Sequence, residues 1–459
     1  MSKYTDYYDT PEAIWFTALP KSWQALKMRE LFSERVTKVS DKDYEPLSVG
    51  YMGVVPQLAN AAKTNNGNNR KLIKSGDFAI NSRSDRKGAG GISKYDGSCS
   101  MIITVLKPHN EINGNFYHYL LRSYYFSEEF YRNGYGIVDD LWTTKWKTMR
   151  NIYLPVPPRS DQDKIVHYLD WKVSEVNKLI SVKRRQVSSY RDLRRAVIDQ
   201  GILHGFKETK QKDSGVYWLG EVPATWEVMP LKRICRANAS IADVVKNMSD
   251  ADLVTFLPME NVSETGEVDC SIKKPIADVR TGFSSFAKSD VVVAKITPCF
   301  ENGKGACLDD LDTDIGFGTT EFINLRPSEK VLSKYLYMIT MTQHFRKLGE
   351  EVMTGSAGQK RVSVNYIKNF TVAIPSLDEQ KDILDEIDSR LAQIDKAVEI
   401  ERQDIKLLQE LKARIISEAV TGQIDVRSVV IPEYEYLEDQ SEEDTGEDSD
   451  TEETEEQEE

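Results

Sequence analysis

The chain predicts an α+β protein, with two pseudo-symmetric mixed α/β modules joined by a long antiparallel intramolecular coiled coil. Three observations carry this expectation. The sequence is written twice; each copy closes on a helical stretch with coiled-coil spacing; and the rest of each copy alternates short apolar runs with glycine- and asparagine-rich stretches. At 459 residues the chain is also too long for one ordinary core.

The repeat opens on Trp15, Pro20 and Trp23, which recur with the same spacing as Trp218, Pro223 and Trp226. A strand opening follows, with Lys74-Ser75-Gly76-Asp77 matched by Lys288-Ser289-Asp290, and then Gly88-Ala89-Gly90 matched by Gly303-Lys304-Gly305. The ends match at a constant offset of 218: Pro157, Gln162, Ile165, Asp170, Lys178, Leu193 and Ile198 map onto Pro375, Gln380, Ile383, Asp388, Lys396, Leu411 and Ile416. Two large copies form a pseudo-symmetric pair rather than a solenoid. Within them, Met101–Leu106, Ile152–Val156, Val291–Ala294 and Thr371–Ile374 read as strands.

The helical stretches carry a sustained four-three spacing. In the first it runs through Leu169, Val173, Val176, Ile180, Lys183, Val187, Tyr190, Arg194 and Val197. In the second it runs through Ile387, Leu391, Ile394, Val398, Glu401, Ile405, Leu408, Lys412 and Ile415. That is the seam of a coiled coil, narrower than the stripe of a globular helix. Antiparallel pairing would bring the two midpoints, Lys183 and Glu401, face to face and fix the register; the alternative is that both heads reach out to water. The expected division is a first module over 1–158, the first coil helix and linker over 159–212, a second module over 213–376, the second coil helix over 377–425, and a disordered acidic tail over 426–459.

The net charge of −13 hides an uneven distribution. Residues 433–459 hold 16 Asp and Glu with no Lys or Arg, so the rest carries 57 acidic against 60 basic side chains. Residues 20–157 are basic, with 20 Lys and Arg against 13 Asp and Glu, and 215–375 are near neutral. The tail reads as solubilising or, more sharply, as a competitor for the basic surface. No apolar stretch approaches the ~20 residues that cross a bilayer. The first 25 residues hold no apolar run, so no membrane association and no secretory leader are expected. Five scattered cysteines without a CxxC pair, and five histidines without HxxH, point to a reducing cytoplasm and to no metal or disulfide.

Signs of catalysis are missing. Gly303-Lys304 is followed by glycine and does not make a Walker loop; Pro157-Pro158 lacks the flanks of an amino-methyltransferase motif; and no GxSxG elbow occurs. No catalytic residue and no cofactor are expected. Basic and amide side chains gather instead at matching places in both copies: Asn69, Arg70, Lys71, Arg83, Arg86, Lys87, Lys145 and Lys147 in the first, and Lys295, Asn302, Lys304, Gln359, Lys360 and Arg361 in the second. These side-chain types read guanine and adenine edges, and Lys and Arg neutralise phosphates; singly, each also fits a solvated loop charge.

The duplicated Trp-x-x-x-x-Pro-x-x-Trp opening, the Gly/Ser-Asp strand and the closing Pro…Gln…Ile before a long helix resemble the DNA-specificity subunit of Type I restriction–modification systems. The stretch around Pro375, Glu379, Gln380 and Ile383 is especially similar, and the first copy departs from it with Asp161 in place of Glu379. The resemblance covers about residues 10–425. It implies two target-recognition domains that each read half of a bipartite double-stranded DNA site, with the coil setting the gap between the halves. It further implies a non-catalytic cytoplasmic subunit that docks two copies of an adenine methyltransferase and two copies of a motor-nuclease. The alternative is a structural coiled-coil adaptor with two protein-binding domains.

Overall fold

The computed structural model describes residues 3–57, 67–83, 87–109, 112–136, 142–356 and 358–437. The chain divides into two units, Met1–Arg185 with Glu401–Glu459, and Gln186–Ile400. Each unit holds one mixed α/β module and a part of both long helices, so two domains are joined by a coiled coil. No helix among the described residues is long and apolar enough to cross a membrane.

The modules repeat one topology. In the first, an antiparallel sheet runs Gly90–Ile92, Phe78–Asn81, Ile103–Pro108, Phe32–Glu34. In the second, it runs Gly305–Cys307, Val291–Ala294, Phe322–Pro327, Cys235–Ala237. The repeated glycines have a steric cause. A Cβ on Gly90 would stand 2.7 Å from the carbonyl oxygen of Ala79, and one on Gly305 2.7 Å from that of Val292. The strand ahead of each long helix pairs with the strand that follows the second repeated tryptophan, Tyr153–Val156 with Gln24–Lys27 and Thr371–Ile374 with Glu227–Pro230. Trp23 sits in one core with Phe78, Phe116 and Leu154, and Trp226 in the other with Val291, Phe345 and Ile374. The modules diverge in their second sheets. The first has Gly97–Cys99, Arg70–Ile73 and Lys38–Val39, and the second has four strands with one parallel pair, Leu253–Leu257 beside Ile315–Gly318.

A buried glutamine fixes the start of each long helix. Gln162 Nε2 donates to Pro157 O at 2.9 Å, and its Oε1 accepts the Asn113 N–H at 2.8 Å. Gln380 repeats this with Pro375 O at 3.1 Å and the Leu332 N–H at 2.9 Å. A buried amide with its donor and acceptor both satisfied tolerates little displacement, which accounts for the repeated Pro…Gln spacing.

The long helices span Arg159–His204 and Leu377–Val420. None of the nine seam residues of either helix is exposed. In the first unit Lys183 meets Glu401, and Tyr168, earlier in its helix, faces Glu418, later in its own. In the second, Arg194 meets Asp395 and Gly201 lies against Ile387. Within each unit the partner's number falls as the residue's number rises, so the pairing is antiparallel.

The stretch expected to be disordered from residue 426 is packed at its start. Val426 is buried, Val429 and Ile431 lie against the core of the first unit, and Leu437 exchanges hydrogen bonds with the first long helix. Its N–H donates to Ser174 Oγ at 3.2 Å and its carbonyl accepts from Asn177 Nδ2 at 3.2 Å. The apolar side chains among the first acidic residues supply the burial that a purely acidic stretch lacks. Residues 438–459 lie outside the described residues.

Candidate nucleic-acid interface

In the first module five chain segments converge on a cleft of about 520 Å³ lined by Glu34, Lys71, Arg83, Met101, Ile102, Lys145, Trp146 and Lys147. Backbone contacts hold the segments together: Arg83 bridges to Thr143, and the Thr144 N–H donates to Ser82 O at 2.9 Å. Lys145 and Lys147 flank Trp146 on the short helix Trp146–Met149, and both lysines are exposed, as is Arg83. Lys71 lies deeper, its Nζ 2.8 Å from Ile103 O and 3.4 Å from Glu34. Four cationic side chains face one carboxylate. The cleft therefore favours a polyanion, while Trp146, Met101 and Ile102 offer apolar surface to a base or a thymine methyl.

The other first-module candidates lie elsewhere. Arg70 is buried on the strand Arg70–Ile73, where its guanidinium donates to Ser98 Oγ at 2.9 Å and Ser98 O at 3.0 Å, so it holds the second sheet together. Lys87 pairs with Glu128 at 3.0 Å and lies over the Tyr131 ring. Asn69 is exposed outside the cleft, and Arg86 falls outside the described residues.

In the second module the candidates form two groups. Lys295 and Arg361 converge on Glu321, with the Arg361 guanidinium bidentate on the carboxylate at 2.8 and 2.9 Å. That guanidinium holds the Glu321 carboxyl below its ordinary pKa. Lys295 Nζ donates to Thr320 O at 2.7 Å, while Gln359 and Lys360 beside them are exposed. The second group is the turn before Gly305, where Asn302 is exposed and Lys304 Nζ donates to Met259 O at 3.0 Å. Several of this module's cations are thus already engaged by the fold.

Sequence reasoning missed the residues that position this turn. Arg346 is buried beneath it and donates to Thr340 O at 2.6 Å, Phe300 O at 2.9 Å and Gly303 O at 3.2 Å. Burial pushes the Arg346 guanidinium down to about 10, below its ordinary range. No local signal marks it, because its partners are backbone carbonyls and two of them lie more than forty residues away. Trp146 did carry a signal, an aromatic residue between two lysines.

In the coil, Lys183 Nζ lies 2.8 Å from Glu401 Oε2 and 2.7 Å from Asp404 Oδ2. Asp404, one turn along, completes the pair, and the two carboxylates together raise the Lys183 pKa.

Residues 223–410 match the sequence family described as the Type I restriction modification DNA specificity domain. Over 167 residues, 36% of the chain, the protein is 41% identical to the Type I restriction enzyme EcoAI specificity subunit of Escherichia coli; the match spans only 28% of that relative. Over 414 residues it is 21% identical to the putative type I restriction enzyme MjaX specificity subunit of Methanocaldococcus jannaschii, covering 86% of this chain and 87% of that one. Among solved structures, a chain described under complex assembly and conformational transition of the type I R-M system shares the fold. Its TM-score is 0.60 at 14% identity, over 88% of this chain and 99% of the other.

Proposed function

From the match of residues 223–410 to the Type I restriction modification DNA specificity family, we propose that the chain is a specificity subunit of that kind and reads a bipartite double-stranded DNA target, one half with each module. In this reading the chain performs no chemistry. It delivers adenine-methyltransferase and motor-nuclease subunits, two of each, to the site in the cytoplasm, and they methylate or cut. The observation that carries the reading is the first-module cleft, where Lys71, Arg83, Lys145 and Lys147 surround an apolar edge. The matching region of the second module offers Gln359, Lys360 and Asn302 as exposed polar groups.

The deciding experiment is a single-molecule methylome of the source strain with and without this gene. Loss of adenine methylation at one split motif upon deletion is the expected result, and it reads out both half-sites at once. An unchanged methylome, together with duplex binding that does not depend on salt, would replace this reading with the protein-binding adaptor.

A further inference from the structure

We propose that the acidic segment 438–459 docks in the basic cleft of the first module, and that a DNA duplex displaces it. The second half of this inference rests on the proposed role of the cleft; the first does not.

Three observations lead there. The first is charge complementarity. The cleft presents Lys71, Arg83, Lys145 and Lys147 against Glu34 alone. The segment holds 14 Asp and Glu in 22 residues with no Lys or Arg. In an extended chain that is one carboxylate every ~5 Å, a linear charge density of the same order as that of one DNA strand.

The second is the anchor. Leu437 is hydrogen-bonded to Ser174 and Asn177, and the residues leading to it place Val426, Val429 and Ile431 on the core of the same unit. A tail that served solubility alone needs no such attachment, whose ordering costs backbone entropy at each residue fixed. An anchored tail instead meets the cleft as an intramolecular ligand, at an effective concentration in the millimolar range.

The third is reach. Twenty-two residues span up to ~70 Å when extended. A folded unit of this size has a radius of gyration of roughly 17–18 Å, so the cleft lies within range of Leu437. The second module competes less well for the same segment, because Lys295, Lys304 and Arg361 are held by Thr320, Met259 and Glu321 and only Lys360 of its candidate cations is exposed, against Arg83, Lys145 and Lys147 in the cleft.

The test uses the full chain. Zero-length carbodiimide coupling, which joins a carboxylate to a lysine amine in contact with it, is followed by peptide mapping. Crosslinks from 438–459 should concentrate on Lys145 and Lys147 and disappear when a random-sequence duplex is added. In parallel, a chain ending at residue 437 should bind that duplex about ten-fold more tightly at low salt, a gain that shrinks to under two-fold when Lys145→Ala and Lys147→Ala are also present. Crosslinks spread evenly over exposed lysines such as Lys246 and Lys368, or an unchanged low-salt affinity on truncation, would overturn the inference. Crosslinks at Lys145 and Lys147 that the duplex leaves intact would uphold the docking and overturn the assignment of the cleft to DNA.

Discussion

Trp23 and Trp226 occupy equivalent places in the two modules and differ in one hydrogen bond. Trp226 Nε1 donates to Glu379 at 3.0 Å, whereas Trp23 Nε1, facing the copy in which Asp161 replaces that glutamate, has no acceptor among the described residues. One methylene separates the two cases. Asp161→Glu should therefore stabilise the protein by about 1 kcal/mol, and Glu379→Asp should destabilise it by about 1–3 kcal/mol, by leaving a buried indole N–H unpaired. Urea melts of both variants check this, and equal effects of the same sign would refute it. His118 gives the residue scale a pH signature. Burial, reinforced by Arg122 and Lys94, pushes its imidazole down to about 3, while it accepts the Ile92 N–H. The unfolded chain takes up this proton near pH 6.5 and the folded chain does not, so the contribution is complete above pH 6.5 and is lost as pH falls toward 3. Between pH 6.5 and 5 the loss is about 2 kcal/mol, and His118→Gln, which cannot charge, should remove that part of the slope. Parallel pH dependences for the variant and the parent chain would show that His118 is not the group responsible.

At the scale of elements, the coil was readable from the sequence, whereas the cations of the cleft could be named but not told apart from candidates that lie elsewhere, and the difference is one of distance along the chain. The four-three spacing is a local pattern, and each of its positions turned out to face the partner helix or lie partly covered. Arg70 and Arg83 look alike in sequence, yet one is buried against Ser98 and the other lines the cleft. All four residues of Arg70–Ile73 are buried, so no in-out alternation marks the direction of the guanidinium. Arg361 and Glu321 meet across forty residues, a pairing that only the sheet determines. Asp77 and Asp290 teach the same lesson, because each buried carboxylate takes an arginine, but Arg35 comes from the edge strand's end and Arg326 from the neighbouring strand. The fold requires a cation there and is indifferent to which strand provides it. The coil also yields a prediction. Lys183→Glu places a third carboxylate beside Glu401 and Asp404, and should lower the melting temperature more than the reversal of exposed Lys178. Adding Glu401→Lys should recover most of the loss, because one ion pair is rebuilt with its charges exchanged. A double-mutant cycle with no coupling would show that the pair does not fix the register.

For the molecule as a whole, if each module reads one half of the target as proposed, the two should fail separately, because each has its own core and its own exposed polar groups. Under the proposed reading, the exposed Lys145 and Lys147 on their short helix would serve phosphates, and Arg83, which lines the same cleft as Trp146, Met101 and Ile102, would meet a base edge. Removing a phosphate contact weakens binding to every sequence and lowers the dependence of log K on log salt by about one per lysine, whereas removing a base contact costs about 1–3 kcal/mol at one position. Lys145→Ala with Lys147→Ala should accordingly flatten the salt dependence by about two and leave the preferred sequence unchanged. Arg83→Ala should relax a single position in one half-site, and Gln359→Ala a position in the other. Selection from a randomised duplex library, run with each variant, measures all three. Relaxation of both half-sites by Arg83→Ala would mean that the modules do not read independently, because a substitution confined to one core leaves the other module's contacts in place.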